Sequence, residues 1–179
     1  MKARVIVTLE CNRNCENCCN KENVFNQHEK LNDIKELLKY DEIIITGGEP
    51  MLIPRKVKDF IYKLRNELKY NGKIYFYSAL YNKRLDGFYD KILDFVDGLH
   101  YTVHYEAKDK EIIELKQLSE SIMLKIKDNK SLRLAIDSRL YDKYDFSNIN
   151  FSKWSVVRKM KWLVNTPLPE REKLFLYEL

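Results

Sequence analysis

Apolar residues along this chain fall into two alternating patterns. Residues 4–9, 42–46, 73–79, 98–105 and 132–137 are short runs rich in β-branched and aromatic side chains, the signature of strands. Between them the apolar spacing becomes helical. Leu31, Ile34, Leu37 and Leu38 mark a helix over 31–40, with Asn32 or Asp33 placed to cap it. Pro54 opens a second helix whose face is Val57, Phe60, Ile61, Leu64 and Leu68, and Asn71-Gly72 ends it. Phe88, Ile92 and Phe95 predict a helix over 85–95, and a fourth covers 112–126. The Ile43-Ile44-Ile45 run reads as a strand buried on both faces.

Strand and helix repeat in turn, which predicts an α/β fold with a parallel sheet and right-handed crossovers. A closed barrel of eight such units needs about 250 residues. At 179 residues the chain is too short for one. The expectation is a partial (βα)5-6 barrel, one domain over 1–179. From about residue 139 the pattern degrades. A sixth strand is expected within 154–164, Pro167 and Pro169 break any helix, and 170–179 reads as a tail.

Composition changes this picture little. Hydrophobic residues make up 45% and charged residues 33%, within the ordinary globular range. No stretch approaches a membrane span, and no apolar leader precedes a cleavage site. The expected location is the cytoplasm, without membrane contact. The net charge of +5 is spread along helix faces, which gives no strong nucleic-acid signal.

The cysteines change it a great deal. All four lie between positions 11 and 19, so they cannot staple distant segments and read as a metal site. Cys11, Cys15 and Cys18 are spaced C-x3-C-x2-C. A 4Fe–4S cluster held by protein alone takes four Cys ligands. Three thiolates leave one iron open to a small molecule. A zinc site is the alternative, with Cys19 or a distant His as the fourth ligand. The second element is Thr46-Gly47-Gly48-Glu49-Pro50, directly after the Ile run. Glycines at a strand end allow close approach of a ligand. Glu49 adds a carboxylate suited to an ammonium group.

These two elements together resemble the radical S-adenosylmethionine (radical SAM) superfamily. The resemblance implies that Cys11, Cys15 and Cys18 hold a 4Fe–4S cluster. It also implies that the methionyl group of S-adenosylmethionine chelates the fourth iron, beside Gly47, Gly48 and Glu49. The cluster and cofactor would lie at the C-terminal ends of the strands, where parallel α/β folds bind ligands. Ser78 and the Thr102-Val103-His104 run are similar to the polar strand ends that meet the cofactor in this superfamily. Asp137 and Arg139 are further candidates for cofactor or substrate contact. The superfamily often places an aromatic residue just before the third cysteine, against the adenine; here Asn17 stands there, and Phe25 is a candidate substitute. Cys19 reads as a spare, buried thiol, and His28 and His100 as unremarkable.

The implied activity is reductive cleavage of S-adenosylmethionine to a 5′-deoxyadenosyl radical that takes hydrogen from a substrate. The cofactor supplies that chemistry, so no protein side chain is singled out as catalytic. The implied partners are an electron donor such as flavodoxin or ferredoxin, and a small-molecule or protein substrate. The shortness of the chain and the Cys18-x-Asn20 run are similar to activases of glycyl-radical enzymes. A nucleoside precursor is an equal candidate. The alternative class is a non-catalytic iron–sulfur or zinc-binding interaction module.

Overall fold

The computed structural model describes residues 1–18, 27–125, 129–162 and 168–179. Among them is one all-parallel sheet of eight strands. The strands are β1 (Lys2–Ile6), β2 (Glu29–Lys30), β3 (Glu42–Thr46), β4 (Lys73–Ser78), β5 (Gly98–Val103), β6 (Ser131–Asp137), β7 (Val156–Met160) and β8 (Glu172–Leu176). Their spatial order is β2-β8-β1-β3-β4-β5-β6-β7, and the sheet does not close. This is the partial barrel of parallel strands that the sequence pattern predicts, with eight strands where five or six were expected. From β1 to β7 the order advances one strand at a time, apart from the two-residue β2, so each crossover runs in the same sense.

The additional strands lie where the apolar pattern is weak. The stretch expected to be a tail pairs as β8 beside β1, matching Lys2 to Glu172 and Ile6 to Leu176. The Arg4 guanidinium fixes that register by meeting the Glu172 carboxylate at 2.8 Å. The expected sixth strand is β7, which forms one edge.

Helices α1 (Pro54–Tyr62), α2 (Asp86–Leu93) and α3 (Asp109–Lys125) bury one face of this sheet. α1 runs on into a π-helical turn over Lys63–Glu67. The stretch expected as a helix over 31–40 is a 3₁₀ helix, Ile34–Lys39. Its buried residues Ile34, Leu37 and Tyr40 recur every third position, and Leu38 is exposed, which matches a three-residue turn. Asp33 caps it, in a capping box with Glu36.

Alternation along the strands separates two environments. Ala3, Val5, Ile43, Ile45, Ile74, Phe76, Leu99, Tyr101, Leu132, Leu134 and Ile136 join the helix residues in one apolar core. Residues one step out of phase, including Arg4, Thr46, Tyr77, His100 and Thr102, face a cavity on the other side. Because all strands run the same way, the loops after β1, β3, β4 and β5 meet at one end of that cavity. No helix among the described residues is long and apolar enough to cross a membrane.

Candidate metal and cofactor site

The cavity has a volume of about 500 Å³. Cys11, Cys15, Cys18, Gly47, Gly48, Glu49, Ser78, Thr102 and His104 all line it. The structure therefore brings the cysteine and glycine motifs together with Ser78, Thr102 and His104, while Asp137 and Arg139 line a neighbouring recess. Cys19, Asn20, Phe25, Ile126, Val164 and Pro167 lie outside the described residues.

The three thiols come from the loop after β1. Among the described residues they form no disulfide. Cys15 is the most buried, and burial together with the Glu106 carboxylate pushes its thiol up to about 12. Burial also raises Cys11, against the backbone N–H of Arg13, which donates to Cys11 Sγ at 3.4 Å. Such thiols become thiolates when a cation compensates their charge. A donor set of three thiols opening into one cavity, one with an amide aimed at its sulfur, fits an iron–sulfur cluster.

Arg13, unnoticed in the sequence, anchors this loop. Its guanidinium donates to the Ala79 carbonyl at 2.7 Å and pairs with Glu111 of α3. The loop is thereby tied to the end of β4 and to the helix layer. On its other side Asn17 donates to the Trp162 carbonyl at 3.1 Å, joining it to the segment after β7.

Gly47 and Gly48 play a part the sequence reading did not assign. They were expected to admit a ligand. The structure shows that they admit the chain itself. A Cβ on Gly47 would lie 2.3 Å from the Thr8 carbonyl oxygen, and one on Gly48 would lie 2.1 Å from that of Glu10. Gly47 also has φ +147°, which disfavours other residues. Gly48 N–H donates to Thr8 O at 2.7 Å and Glu49 N–H to Glu10 O at 2.8 Å. The glycine turn is thus stitched to the segment that leads into Cys11.

Glu49 is 1% exposed and acts as an acceptor for its own chain. Met51 N–H and the Ser78 hydroxyl donate to Oε1 at 2.9 and 2.8 Å, and Ala79 N–H to Oε2 at 2.8 Å. Burial raises its pKa, against the Ala79 and Met51 amides, Ser78 and the charge of Arg13. Ser78 in turn accepts from the Tyr89 hydroxyl of α2 at 3.0 Å. Its hydroxyl orients Glu49 and is not free for a ligand. Thr102 keeps an uncommitted hydroxyl among the described residues.

The raised carboxyl gives a pH prediction. Folding raises the Glu49 pKa, so between the unfolded and folded values the folded state holds a proton that the unfolded state has lost. The cost of its buried charge is absent below about pH 4 and grows as pH rises toward the folded value. Stability relative to the uncharged Glu49→Gln variant should therefore fall as pH rises through that window. Urea unfolding of both proteins across the range checks this; parallel profiles would refute it.

His104 packs against Trp162 at a ring separation of 4.9 Å. Burial, then the charge of Arg13, hold its pKa down to about 4, so the ring is neutral. Its nearest nitrogen, Cys15 Sγ and a Glu106 oxygen lie within 4.8 Å of one another. Asp137 and Arg139 pair with each other through two contacts of 2.9 Å, in a side recess that also touches Cys15 and His104. Arg139 stacks 3.9 Å above the Tyr105 ring. Sequence reasoning also missed Arg4, Tyr77, His100 and Trp162, which line the cavity. The available signal was polar side chains recurring at every second position of strands that pattern as buried.

The family model described as "4Fe-4S single cluster domain" matches residues 3–125, more than half of the chain. The match spans the cysteine loop, the glycine turn and the first five strands. No curated protein matches the chain.

Proposed function

We propose, from the premise that this chain belongs to the 4Fe-4S single cluster domain family, that it is a radical SAM enzyme. Iron–sulfur binding follows from the family itself; cofactor and catalysis are the further step. One observation carries that step: three thiols, a Gly-Gly-Glu turn and polar strand ends line one cavity at the C-terminal ends of parallel strands.

Cys11, Cys15 and Cys18 would hold the cluster, leaving one iron for the methionyl group of S-adenosylmethionine. A cluster held there would supply the electron for reductive cleavage of S-adenosylmethionine, the chemistry that would take hydrogen from the substrate. The protein's own work is to bind, orient and exclude water. Glu49 is the group to meet the methionyl ammonium, and a cation beside it relieves the cost of its buried charge. Ser78 holds Glu49 in place. Thr102 and the neutral His104 offer hydrogen bonds to ribose or carboxylate. Trp162, across from Asn17, supplies the aromatic surface that the position before Cys18 lacks. Arg13 and the glycine turn keep the cysteine loop in register, which matters because a carbon radical attacks whatever lies nearest.

The substrate is a small molecule such as a nucleoside precursor, or a glycyl-radical enzyme. Flavodoxin or ferredoxin would supply the electron. Anaerobic reconstitution should yield about four irons and four sulfides per chain. Dithionite should then produce 5′-deoxyadenosine and methionine slowly without substrate. A full, reducible cluster that makes no 5′-deoxyadenosine over hours leaves a non-catalytic iron–sulfur module. Zinc in place of iron would favour the Cys15, His104 and Glu106 grouping instead.

A further inference from the structure

Beyond the cluster end, the cavity runs along the sheet face opposite the helices to Arg4, Tyr77 and His100. This deeper part belongs to none of the motifs. Arg4 and His100 line it, and the exposed Arg133 and Arg158 flank it on the same sheet face. His100 pairs in register with Arg133 on β6, and Arg158 on β7 pairs with Ala135, two residues beyond Arg133. Alternation puts both arginines on the same face as His100. Arg133 lies 5.9 Å above the Tyr75 ring, and Arg4 lies 5.2 Å above the Tyr77 ring. Tyr77 stacks on His100 at 4.5 Å.

The counter-charges do not match these cations. Glu172 answers Arg4. Among the described residues, no carboxylate pairs with Arg133, Arg158 or Lys161, and Lys161 lines the same cavity. His100 Nδ1 is buried without a hydrogen-bond partner. A buried polar atom with no partner costs free energy, so native proteins rarely leave one without reason. Burial, then the charges of Arg133, Arg4 and Arg158, hold His100 near 4 and its ring neutral. An anion among these guanidinium groups would balance the charge and lie beside the imidazole.

We propose that His100, Arg133 and Arg158, with Tyr77 beside them, bind an anionic group of the substrate, a carboxylate or a phosphate. The assignment rests on the radical SAM reading for calling the ligand a substrate, and it favours a small anionic molecule over a protein partner. Arginine suits the role because its planar fork matches either oxyanion in two-point contacts. An anion held beside His100 fixes one end of the molecule and leaves the other toward the cysteine loop. One anchored end restricts which C–H bond faces the radical.

The test uses the reconstituted full chain and does not need cleavage chemistry. The sequence has three histidines, so ring-labelled protein gives a short set of NMR signals, with His100 assigned by a His100→Gln variant. Inorganic phosphate and malonate are titrated separately, with saturating S-adenosylmethionine present. The His100 signal should move saturably while that of His28 stays still. The Arg133→Gln/Arg158→Gln variant should bind about tenfold more weakly or worse, the loss expected for charge-assisted hydrogen bonds. Both arginines are exposed, so the fold should persist; unchanged His28 and His104 signals at the start of the titration confirm it, since the His100 signal itself responds to the lost charges. A response to phosphate alone assigns a phosphate ligand, to malonate alone a carboxylate, and to both the shared class. No saturable response, or an undiminished one in the double variant, overturns the proposal. Anion binding only when S-adenosylmethionine is omitted would overturn it too, since the site would then serve the cofactor's carboxylate. Substrate-free 5′-deoxyadenosine formation is scored separately, so this site can fail while the radical SAM reading stands, and the reverse.

Discussion

Cys15→Ala should fold, bind no stable 4Fe–4S cluster and form no 5′-deoxyadenosine. The two effects separate because Cys15 is small. It is 8% exposed, and its removal deletes one sulfur from the wall of a cavity that already exists. That costs about 1 kcal/mol, the ordinary value for a point substitution. The loss to the cluster is total by comparison. Two thiolates, Cys11 and Cys18, would face four irons, and a cluster that takes four Cys ligands is already one short with three. Of the three positions Cys15 gives the sharpest result. Its thiol lies deepest, so solvent or buffer ligands reach that corner least easily. The measurements are iron per chain after anaerobic reconstitution, thermal unfolding of the iron-free protein, and 5′-deoxyadenosine after reduction. Cys15→Ala protein that keeps a full complement of iron would remove Cys15 from the ligand set and point to Cys19 as the replacement. If it retains iron and cleavage together, Cys15 is no ligand of the working cluster.

How far the fold could be read follows the physics of each strand. β3 to β6 are legible because each carries an apolar run, and burial on the helix side demands it. β7 is an edge strand with Val157 37% exposed, so it lacks the one-sided apolar signature. β8 begins Glu172-Lys173, and its partner β1 lies at the other end of the sequence. No local window contains the information that pairs them. The 3₁₀ helix was read as a helix because apolar spacings of three and four overlap across so short a span.

The site divides along similar lines. Cys11, Cys15, Cys18 and Gly47-Gly48-Glu49 are legible because cluster chemistry imposes residue type and spacing at once. The direction in which a side chain points was not legible. Ser78 sits at a strand end, as expected, yet its hydroxyl turns to Glu49 and Tyr89. Arg13 lies inside the cysteine motif but carries no spacing signal; only the fold shows that it reaches Ala79 and Glu111. His100 looked unremarkable because its neighbours in space, Arg133 and Tyr77, are distant in sequence.

Gly48→Ala should lower stability by about 3–5 kcal/mol and reduce the iron bound, although position 48 is no ligand. The added methyl would sit 2.1 Å from Glu10 O, 2.6 Å from Glu10 C and 2.7 Å from Leu9 O. All three are backbone atoms, so no side chain can swing aside. The turn after β3 and the strand leading to Cys11 must separate. The hydrogen bonds Gly48 N–H to Thr8 O and Glu49 N–H to Glu10 O then stretch or break. Two lost backbone bonds at about 1 kcal/mol each, with overpacking of about 1–3 kcal/mol, give the expected size. The displacement runs straight into the cysteine loop, which begins one residue after Glu10, and into Glu49, whose oxygens fix the end of β4. Gly87→Ala is the control. A Cβ at Gly87 meets nothing within 4 Å, and the residue lies inside α2. There alanine should stabilise by about 0.5–1 kcal/mol through helix propensity, with full iron. Urea unfolding of the iron-free proteins and iron per chain after reconstitution read both effects. A Gly48→Ala protein as stable as wild type, with a full cluster, would show that the glycine turn does not set the cysteine loop.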